Sequence, residues 1–496
     1  MSNIKFLLWV LMVFNQTFAV SRDSDAPTVC KINQGSLNYP SPSIADGYTY
    51  QLLTDQLNRP RNLIFDTDGN LLVSGDPDGI FVLRIREVGH GCVMYDGKTL
   101  LEGTSGLNLN HGLALSRDGR TLFASSANIA YSWKYDPTTP SIDNSSRRNV
   151  VTGMDSDGHT TRTLLTSKLY SDVLLVSRGS NGNLDMDAKH LPKGKCMIKA
   201  FSHSKTEEQD FATQGNLLGW GLRNSVGIGE DSRGGIWAVE NSADNLIRER
   251  INIHQNNPAE ELNFLGPLKE TAFREGYVAP NYGYPYCFAA WNPKDITPAT
   301  YAIGVGDQFA LVMNNSFTDS TCRDKFQAPR LSFQAHVAPL DIKFHPQTGH
   351  AWISFHGSWN RDAPVGYSLS VVEFQGSEPK APKNSTNSAM NIMWNGNIAG
   401  CPSKCFRPVG IAFDSAGRVW VTSDSTGEIY IITPPQSSLS ELPLSNGTRD
   451  TNSASNFSRR HSGAAPLIHG GVSLTKIIVG VAVICALLLG GRVPML

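Results

Sequence analysis

The chain of 496 residues carries 43 Lys and Arg against 44 Asp and Glu, a net charge of −1. That balance gives no reason to expect nucleic acid or an acidic surface as partner. Charged residues make up only 18%, while Gly (45) and Pro (27) are plentiful, so many short strands and turns are expected rather than long helices.

The first segment, "MSNIKFLLWVLMVFNQTFAVS", has Lys5, an apolar run and small residues near Ala19. Residues 1–19 therefore read as a secretory signal peptide. An exported chain explains the seven cysteines outside the C-terminal tail, because an oxidising compartment favours disulfides. Cys401–Cys405 closes the shortest loop and is the easiest pairing. Cys30–Cys92 and Cys287–Cys322 are the further pairings expected, leaving Cys196 over. Sequons at Asn144, Asn314, Asn384, Asn446 and Asn456 mark candidate glycosylated surface loops.

From residue 30 to 435 one pattern recurs. It begins at Pro60 ("PRNLIFDTDGNLLVSGD"), Asn110 ("NHGLALSRDGRTLFASS"), His159 ("HTTRTLLTSKLYSDVLLVSRGS"), Arg223 ("RNSVGIGEDSRGGIWAVEN"), Ala338 ("APLDIKFHPQTGHAWISFHGSWNR") and Arg407 ("RPVGIAFDSAGRVWVTSD"). Each repeat has an apolar strand, a polar turn and a second strand. Asp-x-x-Gly suits such turns, since Asp bonds its own backbone and Gly supplies positive φ. Six imperfect repeats predict an all-β fold, a six-bladed β-propeller with one blade per repeat. Two stacked β-sandwiches are the alternative. The longest gap, Arg223 to Ala338, has room for a seventh blade; it reads instead as an insertion containing "NYGYPYC".

Beyond Pro434 the composition changes. Residues 436–462 are rich in Ser, Asn and Thr and read as a flexible stalk. Residues 463–496 begin in the small-residue triplet Ser462-Gly463-Ala464 and contain an apolar run, Ile477 to Gly491, which is short for a membrane span. Triplet, spacer and short tail form the pattern of a GPI-anchor signal; a short single-pass helix is the alternative. The expected location is the outer face of the plasma membrane, held by a lipid anchor.

Equivalent positions of radial repeats form rings around the axis. Before the first strand of successive repeats stand Arg61, His111, Arg162, Arg223 and Arg407. After the second strand stand Asp76, Arg178, Glu240 with Asn241, His356 and Asp424. A ring so rich in arginine calls for a small ligand with several acidic groups, because the guanidinium fork matches carboxylates. The bland alternative is that these arginines bond blade carbonyls. One loop is denser still: "HGSWNR" places His356, Trp359, Asn360 and Arg361 within six positions.

"HTTRTL…LLVSRGSNGN", "GLRNSVGIGEDSRGGIWAVENSADN", "NYGYP", "HGSWNR" and "RPVGIAFD" resemble the soluble quinoprotein sugar dehydrogenases, in particular the fungal pyranose dehydrogenase and sorbosone dehydrogenase branch. The resemblance implies pyrroloquinoline quinone (PQQ) over the axis of a six-bladed propeller. Arg61, His111, Arg178, Arg223, Asn224, His356, Arg361 and Arg407 are then the expected cofactor contacts. It implies a catalytic base opening the third repeat, where His159 stands, with His111 as rival. It also implies Ca²⁺ held partly by backbone carbonyls, here those of Ser242 and Ala243; hard Ca²⁺ suits oxygen ligands. The implied partners are a sugar and an electron acceptor. The chain departs from the bacterial members at Ser242-Ala243, where they have Gly-Pro, and at Val226, where they carry glutamine. Two other functions fit a propeller. A Ca²⁺-dependent lactonase would need an axial ring of acidic ligands. A cell-surface binding protein of the hedgehog-interacting kind would need no base at His159.

Overall fold

The computed structural model describes residues 30, 35–75, 79–89, 91–155, 157–314 and 316–435. The expected signal peptide, stalk and anchor signal, together with Asp76, Asn446 and Asn456, lie outside these residues. Among the described residues no helix is long and apolar enough to cross a membrane.

Six antiparallel blades follow one another along the chain; four have four strands, the second gains a short parallel strand, Gln209–Asp210, and the fifth gains Ser43–Ile44. Their innermost strands are Asn62–Phe65, Leu113–Leu115, Leu164–Thr166, Ser225–Glu230, Pro339–Phe344 and Pro408–Phe413. Each packs on the next, and the sixth packs on the first, so the ring closes. The six repeats are thus six blades of a β-propeller.

Strands such as Ala351–Phe355 and Val419–Ser423 are buried at every position. This is why their sequences, AWISF and VWVTS, are nearly continuous apolar runs rather than alternating ones. One face of each blade packs on the preceding blade and the other on the following one. Trp237 and Val239 of the fourth blade, for example, meet Ile342, Phe344 and Ile353 of the fifth.

The Asp-x-x-Gly turns have a second use. Asp231 and Asp414 accept turn amides with Oδ1, from Gly235 at 2.9 Å and Arg418 at 2.9 Å. With Oδ2 they accept the indole N–H of Trp237 (3.1 Å) and Trp420 (2.8 Å). A turn aspartate therefore satisfies the one polar atom of a fully buried tryptophan, which would be costly to leave unpaired.

Neighbouring blades are also latched near the axis. A hydroxyl at the second strand of one blade donates to a carbonyl entering the next. Ser74 donates to His111 O at 2.8 Å, Ser125 to Arg162 O at 2.6 Å, and Thr422 of the sixth blade to Arg61 O of the first at 3.1 Å.

The repeats do not reveal how the ring is closed. The outer strand of the sixth blade is Thr49–Thr54, from ahead of the first repeat, paired antiparallel with Glu428–Thr433. The long interval from Arg223 to Ala338 holds the whole fourth blade, and an insertion between its strands Glu260–Pro267 and Leu331–Phe333 carries a hairpin, Cys287–Ala289 with Gln308–Ala310, and the helix Asp319–Lys325. Disulfides join Cys30–Cys92, Cys287–Cys322 and Cys401–Cys405, and Cys196 is a buried free thiol. Asn144, Asn314 and Asn384 are all exposed, as glycosylation would require.

Cys287–Cys322 closes a 35-residue separation across the insertion. Replacing both cysteines with alanine should cost about 2–4 kcal/mol through the freed unfolded chain. Urea melts of variant and parent check this; an unchanged midpoint would show that hydrophobic packing alone holds the insertion.

Candidate active site

At one mouth of the ring, loops of the third to sixth blades enclose a pocket of about 220 Å³. His159, Arg223, Asn224, Ser242, His356 and Arg407 all line it. So does Trp359, two-thirds exposed at the rim.

His159 is half-buried. Its Nδ1 lies 3.0 Å from the carbonyl oxygen of Ser180 and 2.9 Å from its hydroxyl. That hydroxyl itself donates to Gly182 O at 2.6 Å. Both atoms therefore accept, so Nδ1 carries the proton and Nε2 keeps its lone pair. Burial, helped by the nearby Arg223 charge, pushes the His159 pKa down to about 4. The ring is neutral at physiological pH. The preceding Gly179 is needed here: a Cβ would lie 2.5 Å from Asn224 Oδ1 and 3.1 Å from His159 Cβ.

Arg223 is buried and heavily bonded. It donates to Asn183 O (3.1 Å), Asn183 Oδ1 (3.0 Å) and Asn241 O (3.1 Å), and pairs with Asp244 at 3.4 Å. Arg407 donates to the carbonyls of His356 (3.2 Å) and Gly357 (3.0 Å), leaving other N–H groups uncommitted among the described residues. Asp424 joins two predicted contacts, accepting from Arg61 Nη1 at 2.6 Å and His356 Nε2 at 2.7 Å. Burial works against ionisation of Asp424, but His356 and Arg61 hold its pKa well below the usual carboxylate value.

Several predicted contacts are not brought to this pocket. Arg61 faces a neighbouring cavity instead. Arg178 donates to the carbonyls of Gly194 (2.9 Å) and Asp155 (2.6 Å). Arg162 likewise serves His159 O (2.8 Å) and Met154 O (2.6 Å). Arg361 bonds Gln255 O (2.8 Å), Ala363 O (2.6 Å) and Asn256 Oδ1 (3.2 Å). For these three the bland alternative holds: each arginine satisfies carbonyls that the loop geometry would otherwise leave unpaired.

His111 is sealed at 2% exposure, and its Nδ1 has no partner among the described residues. Burial, and then the charges of Arg61 and Lys343, push its pKa well below the ordinary value. Lys343 belongs to the blade opposite, so His111 sits within the axial channel and not at its open mouth. Ala243 is buried with the apolar residues of the insertion, including Leu246 and Ile253.

The Asn360 side chain donates to Asp244 Oδ1 at 3.0 Å, and its carbonyl faces His254 Nε2 at 2.9 Å. Gly357, at φ +94°, packs where a Cβ would fall 2.2 Å from Tyr367. "HGSWNR" is thus a clamped loop. His356, Trp359 and Asn360 line the pocket, while Asn360 and Arg361 also tie the loop to the fourth blade's long connections.

Sequence reasoning missed three members. Asp244 binds Arg223, Asn360 and His336 Nδ1 (3.4 Å). Burial opposes its charge, but His336 and Arg223 hold its pKa below the ordinary value. His336 has φ 72° and a pKa raised, against burial, by Asp244. Glu260 accepts the Ser242 amide at 2.7 Å, and burial pushes its pKa up to about 7. His336 lies just ahead of the fifth innermost strand, in the same ring as Arg223. Starting that repeat at Ala338 hid it.

The mouth of the propeller presents guanidinium and amide groups beside a neutral histidine, so an acidic group and a proton acceptor could sit side by side there. The chain belongs to the TrAA12-like family, whose model matches residues 42–435. It is 43% identical over 409 residues to a pyrroloquinoline quinone-dependent sugar dehydrogenase of Hypocrea jecorina, covering 81% of this chain and 92% of that one. It is 36% identical to a pyrroloquinoline quinone-dependent pyranose dehydrogenase of Coprinopsis cinerea, covering 79% of this chain but only 54% of that longer protein. Among solved structures, the iodide structure of Trichoderma reesei carbohydrate-active enzyme family AA12 superposes with a TM-score of 0.76 at 44% identity, over 80% of this chain and 98% of that one. The holo pyranose dehydrogenase PQQ domain of Coprinopsis cinerea gives 0.75 at 33% identity, over 81% and 100%.

Proposed function

We propose that the chain oxidises a sugar at a carbinol or anomeric hydroxyl with PQQ and Ca²⁺, and passes the electrons to a separate acceptor. The observation that carries this is His159: a neutral imidazole with Nε2 free, in a pocket whose other polar atoms suit an anionic cofactor.

The residues present fit the group. Arg407 and Asn224 line the pocket, each with N–H donors that have no partner among the described residues, and Arg223 adds a buried positive charge. A planar acid with several carboxylates matches that donor set. For the cation, neither the Ser242 nor the Ala243 carbonyl accepts a hydrogen bond from a described residue. Asp244 and Glu260 line the same pocket, so oxygen ligands and negative charge are at hand for Ca²⁺. When bound, PQQ supplies a quinone that accepts hydride, and Ca²⁺ polarises it as a Lewis acid.

The chain's own residues do the rest. Ser180 fixes the tautomer of His159, and Nε2 then takes the hydroxyl proton of the sugar. His356 is aligned by Asp424, whose charge is balanced by Arg61. Trp359 offers an apolar face at the rim for sugar C–H groups. The three disulfides fit an oxidising, exported setting. Attachment to the cell surface by a lipid anchor is part of the same proposal.

The test is a titration of the purified protein with PQQ and Ca²⁺, followed by turnover of a sugar panel with a dye acceptor. Binding and turnover are expected. Arg223→Ala should weaken PQQ binding by about 1.5–3 kcal/mol, roughly 10- to 150-fold. Unchanged affinity would end the case for an anionic cofactor at this mouth. Binding of a partner protein with no PQQ uptake would support the non-enzymatic alternative.

A further inference from the structure

His159, His336 and His356 all line the mouth pocket, and their partners put them in different protonation states. His159, as above, carries its proton on Nδ1 and offers Nε2. His336 meets acceptors on both sides: His254 O lies 2.5 Å from Nε2, and the Asp244 carboxylate lies 3.4 Å from Nδ1. A carbonyl and an ionised carboxylate cannot donate, so both ring nitrogens carry protons and no lone pair is left. His356 reverses the arrangement of His159. Its Nε2 lies 2.7 Å from Asp424 Oδ1, so Nε2 carries the proton and Nδ1 keeps the lone pair. No described residue bonds that Nδ1.

The His356 backbone is fixed on both sides. Its amide donates to Ala338 O at 2.9 Å, and its carbonyl accepts from Arg407 Nε at 3.2 Å. The charged groups facing the ring are Asp424 and Arg407 of the sixth blade and Arg61 of the first. Burial lowers the His356 pKa below the ordinary value, and Asp424 offsets this only in part. The ring is therefore neutral at physiological pH and ready to accept. A carboxylate behind an imidazole fixes its tautomer and stabilises the imidazolium once a proton arrives.

The proton balance of the reaction gives this ring a task. Oxidising a carbinol to a carbonyl breaks one O–H and one C–H bond, turns C–O into C=O, and releases two electrons and two protons. An acceptor that takes electrons alone leaves both protons at the mouth, and His159 Nε2 has room for one. We propose that His356 Nδ1, backed by Asp424, is the second proton acceptor of the site. Of the other basic groups in the pocket, His336 is already fully protonated. Asp244 is engaged by Arg223, and Glu260 by the Ser242 amide. The proposal rests on the sugar-oxidation reading for the source of the protons, but not for the state of the ring.

The test has two arms. In cofactor-free protein labelled with nitrogen-15 histidine, the signal lost in His356→Asn should report a protonated Nε2 and a bare Nδ1 at neutral pH. In the fully loaded holoenzyme, reduced with the fastest sugar of the panel, reoxidation is followed by rapid mixing with two acceptors. Ferricenium takes an electron and no proton, whereas benzoquinone takes both. His356→Asn should slow reoxidation by ferricenium about 10²-fold more than reoxidation by benzoquinone, the lower end of what a general base contributes. A ring that only held its loop in place would change both rates alike. Melting temperature reports folding; should His356→Asn fail to fold, Asp424→Asn reads the same selectivity. A proton on Nδ1, or a folded variant with no selectivity between the acceptors, overturns the proposal. Failure of every sugar to reduce the holoenzyme overturns the oxidation reading and the proton's role with it, and the first arm still reads the tautomer.

Discussion

Replacing His159 with alanine should lower kcat for sugar oxidation by about 10²- to 10⁴-fold, the usual worth of a general base. PQQ and Ca²⁺ binding should persist, since neither Arg223, Arg407 nor Asn224 takes its orientation from the imidazole. The pH profile gives a sharper check. With its pKa down at about 4, His159 is ready to accept a proton well below neutrality. The acid limb of kcat/KM in the parent should therefore fall near pH 4, not near the ordinary histidine value of about 6.5, and should be lost in the variant. His111→Ala is the control. It should change stability, because His111 is sealed in the axial channel, but cost far less in kcat. A dead His111→Ala with a normal His159→Ala would place the base on the second blade.

The second large effect belongs to Asp424. This carboxylate lies between Arg61 and His356, with only 10% of its side chain exposed. Asp424→Ala should destabilise the protein by about 1.5–3 kcal/mol, because it removes the carboxylate that accepts charged hydrogen bonds from Arg61 and His356. The pH dependence has a definite sign. The folded-state pKa is depressed, so the contribution is fully present above the unfolded value of about 3.9 and fades as pH falls through the lower folded value. The gap in melting temperature between parent and variant should be widest near neutrality and should close in acid below about pH 4. A gap that stays constant to pH 2 would show that packing, not charge, is what Asp424 provides.

Much of this architecture was legible because each blade repeats the same physical problem. A strand buried on both faces must be apolar, and a turn must be polar and bent; those two demands recur six times. The axial columns were legible for the same reason, and they led to Arg223, His356 and Arg407; the base position came from the family resemblance. The columns could not distinguish a guanidinium that faces a ligand from one that faces carbonyls. Arg162 and Arg178 occupy the expected sequence positions, yet their forks are filled by His159, Met154, Gly194 and Asp155. That outcome depends on where distant loops end, and no local pattern records it. Glu260 was missed for a related reason. It stands at the start of a third strand, outside both columns, and reaches the pocket only because the Ser242 amide lies across the blade from it.

The pairing of Thr49 with Thr433 has a topological consequence. The segment that enters the ring and the segment that leaves it are adjacent rungs of one sheet. The fold therefore records the cyclic order of its blades and is indifferent to which blade is counted first. A short bridge from Thr433 to Thr49, with the chain reopened at the exposed turn around Asn384, would give a circular permutant that keeps four strands in every blade and gives up only the short strand Ser43–Ile44 and the segment before it.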